Sequence, residues 1–222
     1  MIVKESLGID NKIIYQDDSL YRFTSDSVIL SKFASARKND IVADFCSGSG
    51  IVGIHHYLLN QNAKSVDLVE IQTELANLSK MTVEENDLSN VFNVLNCPIQ
   101  DLDDSYNEKY TLILCNPPYK KANSGEHNAD LKKAICRHEI TVTQEEIIKT
   151  ASKKLKRGGR LCMCQRIERF TDMIEYMRKC NLEPSRLQFV STDHENAPYL
   201  FLIESVKGVK PQLKILKTYL NR

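Results

Sequence analysis

No run of apolar residues in this 222-residue chain approaches the roughly 18 needed to span a bilayer. The N-terminus likewise lacks a basic stretch followed by an apolar one, the pattern of an export signal. A cytoplasmic protein without membrane contact is expected. Charge of one sign is not in excess either: 30 Lys and Arg stand against 29 Asp and Glu, for a net charge of +1. Composition therefore carries no polyanion-binding signature, and only local clusters can argue for a nucleic-acid partner. The seven cysteines, Cys46, Cys97, Cys115, Cys136, Cys162, Cys164 and Cys180, contain no C-x-x-C pair. Several sit in apolar stretches, so buried free thiols of a reducing compartment are expected, and no metal site. Neither an internal repeat nor a linker interrupts the chain. With 42% hydrophobic residues, residues 1–222 suffice for one domain around one large core, and a monomer is expected.

Against these absences stands one dense feature, Asn116-Pro117-Pro118-Tyr119, directly after the apolar run Tyr110–Cys115 that reads as a buried strand. Two consecutive prolines donate no backbone hydrogen bonds and hold φ near −65°, so they end the strand and fix the carbonyls around them. An isolated Pro-Pro is commonly no more than a turn that closes a strand. Here the amide oxygen of Asn116, the carbonyl of Pro117 and the ring face of Tyr119 together suit a planar group carrying an exocyclic amine. Adenine, cytosine, guanine and glutamine all qualify.

A second feature precedes it. Residues 40 to 46 form a first apolar strand containing Asp44, followed by the loop Cys46-Ser47-Gly48-Ser49-Gly50 and a helix with Ile51, Val52, Ile54, Leu58 and Leu59 on its buried stripe. The glycines allow a tight turn whose N–H groups approach a ligand at the helix start. A strand over Ser65–Val69 then ends in Glu70, placed to accept from two ribose hydroxyls. Gly48-Ser49-Gly50-Ile51-Val52-Gly53 alone also fits the G-x-G-x-x-G loop of a dinucleotide oxidoreductase. Asp44 argues against that reading, since its carboxylate would repel a pyrophosphate. For S-adenosylmethionine, a cation with an amino group, the same carboxylate is useful. In a doubly wound sheet the first and fourth strands are neighbours at the switch point, so Asn116 to Tyr119 should lie beside the glycine loop. Such a site pairs a methyl donor with an amine acceptor.

The pattern D-x-x-x-G-x-G over Asp44–Gly50, the acid ending strand two and N-P-P-Y ending strand four resemble the S-adenosylmethionine-dependent amino-methyltransferases. Within them, Tyr21–Leu30, Arg137-His138-Glu139-Ile140, Gly158-Gly159-Arg160 and Leu182–Arg186 resemble the bacterial tRNA1(Val) (adenine-37) N6-methyltransferase family. The resemblance implies an α/β fold, Rossmann-like class I, with a seven-stranded mostly parallel sheet whose last strand is antiparallel. It implies an acceptor site of Asn116, Pro117 and Tyr119, and a cofactor site of Asp44, Cys46, Ser47, Gly48, Gly50, Glu70, Ile71, Ile99 and Asn116. Pro118, Lys120, Lys121, Arg137 and His138 would meet the substrate, an adenine in tRNA. Glutamine and ribosomal-RNA methyltransferases share N-P-P-Y and are the alternatives within the class, with a catalytically silent RNA-binding module outside it. One departure stands out: Pro98 occupies the position where relatives carry an acid for the cofactor's adenine amine, which leaves backbone around Cys97–Ile99, Gln100 or Asp101 to hold it.

The rest of the chain fits an extension over residues 1–38, a core over 39–206 and a tail over 207–222. The extension reads as short strands at Lys12–Gln16 and Tyr21–Phe23 and a helix over Ser25–Phe33, placed to cover the cofactor. In the core, a helix with Leu75, Leu78 and Met81 on one face precedes a strand over Val91–Leu95. Lys120–Asp130 has no periodicity and reads as a mobile substrate loop. Thr143-Gln144-Glu145-Glu146 is a capping box opening a helix that Gly158-Gly159 ends. A strand over Arg160–Gln165, a helix over Thr171–Cys180 and strands over Arg186–Val190 and Tyr199–Glu204 complete the sheet. Lys120-Lys121 and Lys132-Lys133 with Arg137 can neutralise RNA phosphates, whereas Lys153, Lys154, Lys156 and Arg157 read as complements to a helix C-terminus.

Overall fold

The computed structural model describes residues 1–20, 22–117 and 142–221. The chain opens with an antiparallel hairpin, β1 (Ile2–Ser6) and β2 (Ile13–Asp17), and helix α1 (Ser25–Phe33). Arg22 and Phe23 are not strand, in contrast to the expectation for that segment; the Phe23 N–H donates instead to the Gln16 side chain at 3.3 Å. Alternating strands and helices follow: β3 (Asp40–Phe45), α2 (Ile51–Asn60), β4 (Ala63–Val69), α3 (Thr73–Glu85), β5 (Phe92–Leu95) and β6 (Tyr110–Cys115). After the undescribed segment come α4 (Gln144–Lys154), β7 (Leu155–Arg166), α5 (Phe170–Lys179), β8 (Leu182–Ser191) and β9 (Leu200–Lys207).

Seven of these strands form one sheet in the order β8-β9-β7-β6-β3-β4-β5. β3 through β7 are parallel, and β9 runs antiparallel to both β7 and β8. The order reverses between β3 and β6, so their carboxyl ends open a crevice. The tail does not hang free. Its two short strands, β10 (Lys214–Ile215) and β11 (Tyr219–Leu220), both pair in parallel with β8 and widen the sheet beyond the seven strands expected.

The strands are apolar on both faces because helices cover both. On one side, Ile29, Leu30 and Phe33 of α1, Ile51, Val52, Ile54 and Leu58 of α2 and Val83 of α3 pack on Val42, Val66, Leu112 and Leu114. On the other, Ile147, Ile148 and Ala151 of α4 and Met173 and Met177 of α5 pack on Ala43, Phe45, Ile113, Leu161 and Met163. Leu59, near the C-terminal end of α2, faces solvent rather than joining the α2 stripe. On α3 the buried side is Leu75, Ala76, Leu78, Ser79, Thr82 and Val83, with Met81 at its margin. The Thr143 capping box is formed, its hydroxyl accepting from Glu146 N–H and the Glu146 carboxylate accepting from Thr143 N–H at 2.8 Å. The helix stops at Lys154, ahead of Gly158, because Leu155 already enters β7.

A buried polar cluster ties α1 to the sheet. Arg160 on β7 is fully buried and donates to Asp40 at 2.7 Å and to the Ser35 carbonyl. Arg186 on β8 donates to the Ser35 hydroxyl at 2.9 Å and to the Phe33 carbonyl. Strands β7 and β8 thus fix the C-terminal end of α1. At its other end, the Asn221 amide from the tail donates to the Ser25 hydroxyl at 3.0 Å.

Candidate active site

The loop after β3 turns sharply. Cys46, Gly48 and Gly50 all have positive φ, with Gly50 at 86° as the first residue of α2's cap. A side chain at Gly50 would also collide, because its Cβ would come within 2.9 Å of Ile54 and 3.0 Å of Leu68. Gly53, inside α2, is needed for close approach: a Cβ there would lie 2.8 Å from Leu68 and 3.1 Å from the Asp44 Cβ. The helix therefore starts flush against β3 and β4, with its first N–H groups at the crevice.

Two carboxylates hold this loop. Asp44 is fully buried on β3 and accepts from the Gly53 N–H at 2.8 Å, while its other oxygen has no hydrogen-bond partner. Burial pushes its carboxyl up to about 7, opposed by the Gly53 N–H and assisted by the nearby Glu70 charge. Glu70, just past β4, accepts from Gly48 N–H with one oxygen and Gln72 N–H with the other, each at 2.8 Å. Burial raises its carboxyl as well, against the pull of those N–H groups. The Ile71 N–H adds a third backbone bond to this carboxylate; a carboxylate has about four acceptor positions, so the side chain can tie the loop and still accept from a ligand. Asn96 braces the same turn by donating to the Glu70 and Ile71 carbonyls at 2.9 and 3.1 Å.

Above this loop lies a cleft lined by the residues that follow β3, β4, β5 and β6, the place where a doubly wound sheet binds its ligand. Cys46, Ser47, Gly48 and Ser49 form its floor, Glu70, Ile71 and Gln72 one wall, and Cys97, Pro98, Ile99 and Gln100 the next. Asn116 closes it at the end of β6, and Phe23 and Ser27 from the N-terminal extension and Val142 complete the lining. Of the residues expected at the cofactor, Cys46, Ser47, Gly48, Glu70, Ile71, Ile99 and Asn116 line the cleft. Asp44 and Gly50 lie behind it and shape the loop. Both Gln100 and Asp101 are exposed, but only Gln100 is part of the lining; this wall of the cleft therefore carries an amide and main chain in place of a carboxylate. The Ser47 hydroxyl is buried at the cleft without a hydrogen-bond partner. It leaves one unsatisfied polar atom at the cleft, which suits a ligand with polar groups, while the unpartnered oxygen of Asp44 lies behind the loop.

Asn116 is half-buried, and its amide is engaged on both sides. Nδ2 donates to the Ser27 hydroxyl at 2.8 Å, and Oδ1 accepts from the Cys164 thiol at 2.8 Å. The expected open acceptor is thus braced rather than free, with one lone pair of Oδ1 already used. Pro117 is buried beside it. Pro118, Tyr119, Lys120, Lys121, Arg137 and His138, with the Lys120–Asp130 loop, lie outside the described residues. Cys115, Cys162 and Cys164 are buried free thiols, and Cys46, Cys97 and Cys180 are half-buried free thiols. Among the described residues no helix is long and apolar enough to cross a membrane, and no His, Cys, Asp and Glu cluster could hold a metal.

Phe23, Ser27, Gln72 and Val142 are not among the expected site residues. For Phe23 and Ser27 the sequence offers the Tyr21–Leu30 resemblance and a helix beginning at Ser25, neither of which says what that turn faces.

A family model described as the methyltransferase small domain matches residues 23–184. The tRNA1(Val) (adenine(37)-N6)-methyltransferase of Parabacteroides distasonis is 23% identical over 191 residues, spanning 86% of this chain and 79% of that protein. The protein of the same name from Porphyromonas gingivalis is 25% identical over 199 residues, spanning 86% and 76%. Among solved structures, a predicted O-methyltransferase from Agrobacterium tumefaciens superposes with a TM-score of 0.69 at 18% identity, covering 88% of this chain and 86% of that one. The geranyl diphosphate C-methyltransferase of Streptomyces coelicolor, solved with Mg2+, geranyl diphosphate and S-adenosyl-L-homocysteine, superposes with a TM-score of 0.59 at 12% identity, covering 82% and 78%. These structural likenesses rest on the fold.

Proposed function

Since this chain belongs to the methyltransferase small domain family, with a class I fold and S-adenosylmethionine as its cofactor, we propose that it methylates the N6 amine of an adenine in tRNA, at adenosine-37 of tRNA1(Val). The observation that carries the reading is the position of Asn116. It stands at the carboxyl end of β6 and lines the same cleft as the glycine loop, so an amine held there meets the cofactor directly. Relatives that match over most of this chain bear the name of that reaction.

S-adenosylmethionine supplies a sulfonium-activated methyl group. The acceptor capacity that Glu70 retains beyond its bonds to the loop would serve a ribose hydroxyl. Gln100 and the main chain of Cys97–Ile99 would read an adenine amine, and Ser47 would meet the polar end, with the Asp44 carboxyl behind the loop. On the acceptor side, Asn116 Oδ1 and the Pro117 carbonyl would take the two protons of the N6 amine. That orientation turns the nitrogen lone pair toward the methyl group and stabilises the positive charge that develops on nitrogen. No charged base is required first, because proton loss to water can follow transfer.

Transfer of labelled methyl from S-adenosylmethionine to total tRNA from cells lacking this protein, followed by nucleoside analysis, tests the proposal. N6-methyladenosine mapped to position 37 of tRNA1(Val) is the expected product. Label in ribosomal RNA or in a protein glutamine instead would overturn the substrate while leaving the methyltransferase in place. Asn116→Ala should lower transfer at least ~100-fold with cofactor affinity nearly unchanged, the scale seen for a lost transition-state hydrogen bond.

A further inference from the structure

We propose that Ser27 of helix α1 is a positioning residue that sets which way the Asn116 amide faces, so that the N-terminal extension, outside the strand-and-loop core, controls the acceptor geometry. The inference rests on the reading of Asn116 as the amine acceptor.

The terminal torsion of an asparagine is broad and close to two-fold, so Asn116 itself has little preference between presenting oxygen or NH2 to the cleft. Its neighbours make the choice. Cys164 offers a thiol, a weak donor and weak acceptor, whereas Ser27 offers a hydroxyl that both donates and accepts. The amide oxygen is on the Cys164 side and Nδ2 on the Ser27 side, each contact at 2.8 Å. Rotating the amide by half a turn would bring NH2 to the thiol, the poorer acceptor, and turn a donor toward an incoming amine that is itself a donor. Acceptor and amine would then repel.

Ser27 is well held for this task. It is 2% exposed, its N–H donates to the Thr24 carbonyl at 3.1 Å, and it lines the cleft next to Asn116. The two residues are 89 positions apart in the chain. What brings them together is α1, fixed at its C-terminal end by Arg160 and Arg186 through Ser35 and Phe33 and at its N-terminal end by Asn221. Because the Ser27 oxygen accepts from Nδ2, its own proton remains available for a second bond.

A double-mutant cycle tests the proposal. Ser27→Ala should lower kcat by ~10-fold, the rate equivalent of one hydrogen bond, with the S-adenosylmethionine dissociation constant changed less than about twofold. Ser27→Thr, which keeps the hydroxyl, should recover most of the rate. In an Asn116→Ala background Ser27→Ala should have no further effect, because its action passes through the amide. An equal loss in both backgrounds, or a loss confined to cofactor affinity, would overturn the proposal. If the wild-type protein methylates an amine other than adenine N6, the substrate reading fails and the same cycle, run on that amine, still decides the role of Ser27. If no acceptor is found, the side-chain amide resonance of Asn116 in 15N-labelled protein, assigned by its loss in Asn116→Ala, decides it. A shift or broadening in Ser27→Ala supports the proposal, and an unchanged resonance overturns it.

Discussion

Replacing Asp44 by Asn should make the cofactor-free protein more stable at neutral pH and a poorer binder of its cofactor. Asp44 is fully buried, with one oxygen on the Gly53 N–H and the other without a hydrogen-bond partner. Burial, with a smaller contribution from Glu70, pushes its carboxyl up to about 7 in spite of the Gly53 bond. The unfolded chain titrates near 3.9. The folded state therefore holds the proton more tightly, and between those two values stability falls as pH rises. At about 1.4 kcal/mol per pH unit, the loss reaches on the order of 4 kcal/mol by pH 7 to 8. Below pH 4 the carboxyl is neutral in both states and the effect vanishes. Asparagine has the same shape, still accepts from Gly53 and never ionises. For a chain of this length about 2–4 °C accompanies each kcal/mol, so the melting temperatures of variant and wild type should differ by on the order of 10 °C at pH 8 and converge near pH 4. Thermal unfolding across that range, without cofactor, is the assay. Parallel profiles, or a variant less stable at pH 8, would refute the reasoning. Saturating S-adenosylmethionine should narrow the gap, because its positive sulfonium stabilises the carboxylate and gains nothing comparable from an amide.

Gly53→Ala should cost roughly 1–3 kcal/mol, since the added methyl meets Leu68 at 2.8 Å and the Asp44 Cβ at 3.1 Å; urea unfolding measures it, and a neutral substitution would mean that α2 can withdraw from the sheet. Arg160→Ala should cost about 3–5 kcal/mol by leaving Asp40, at 4% exposure, without its buried partner. Its unfolding midpoint checks that, and the same variant should weaken methyl transfer because α1 carries Ser27. Thr143→Ala, which removes one half of the α4 capping box, should cost about 1 kcal/mol, again read from the unfolding midpoint.

The local signals in the sequence were strong where the physics is local. Alternation of apolar strands with amphipathic helices placed β3, β4, β5, β6 and α1 within a few residues, because burial on both sheet faces writes itself into consecutive side chains. The capping box at Thr143 was legible for the same reason: both partners lie within one turn. The glycine loop and Asn116 could be assigned to one crevice because parallel strands with right-handed crossovers leave few ways to order a sheet. Long-range pairs were not legible. Nothing near Ser27 in the chain states that it meets Asn116, nothing in the tail announces that β10 and β11 extend the sheet along β8, and Gln100 and Asp101 are equivalent until a 3₁₀ turn over Ile99–Asp101 points one to the cleft and leaves the other in solvent. The order of elements, the loop chemistry and the residue at the end of the fourth core strand are written in consecutive residues. Only the fold fixes which side of the Asn116 amide faces which partner and which N–H groups Asp44 and Glu70 accept from, because those outcomes depend on contacts closed by packing between distant segments.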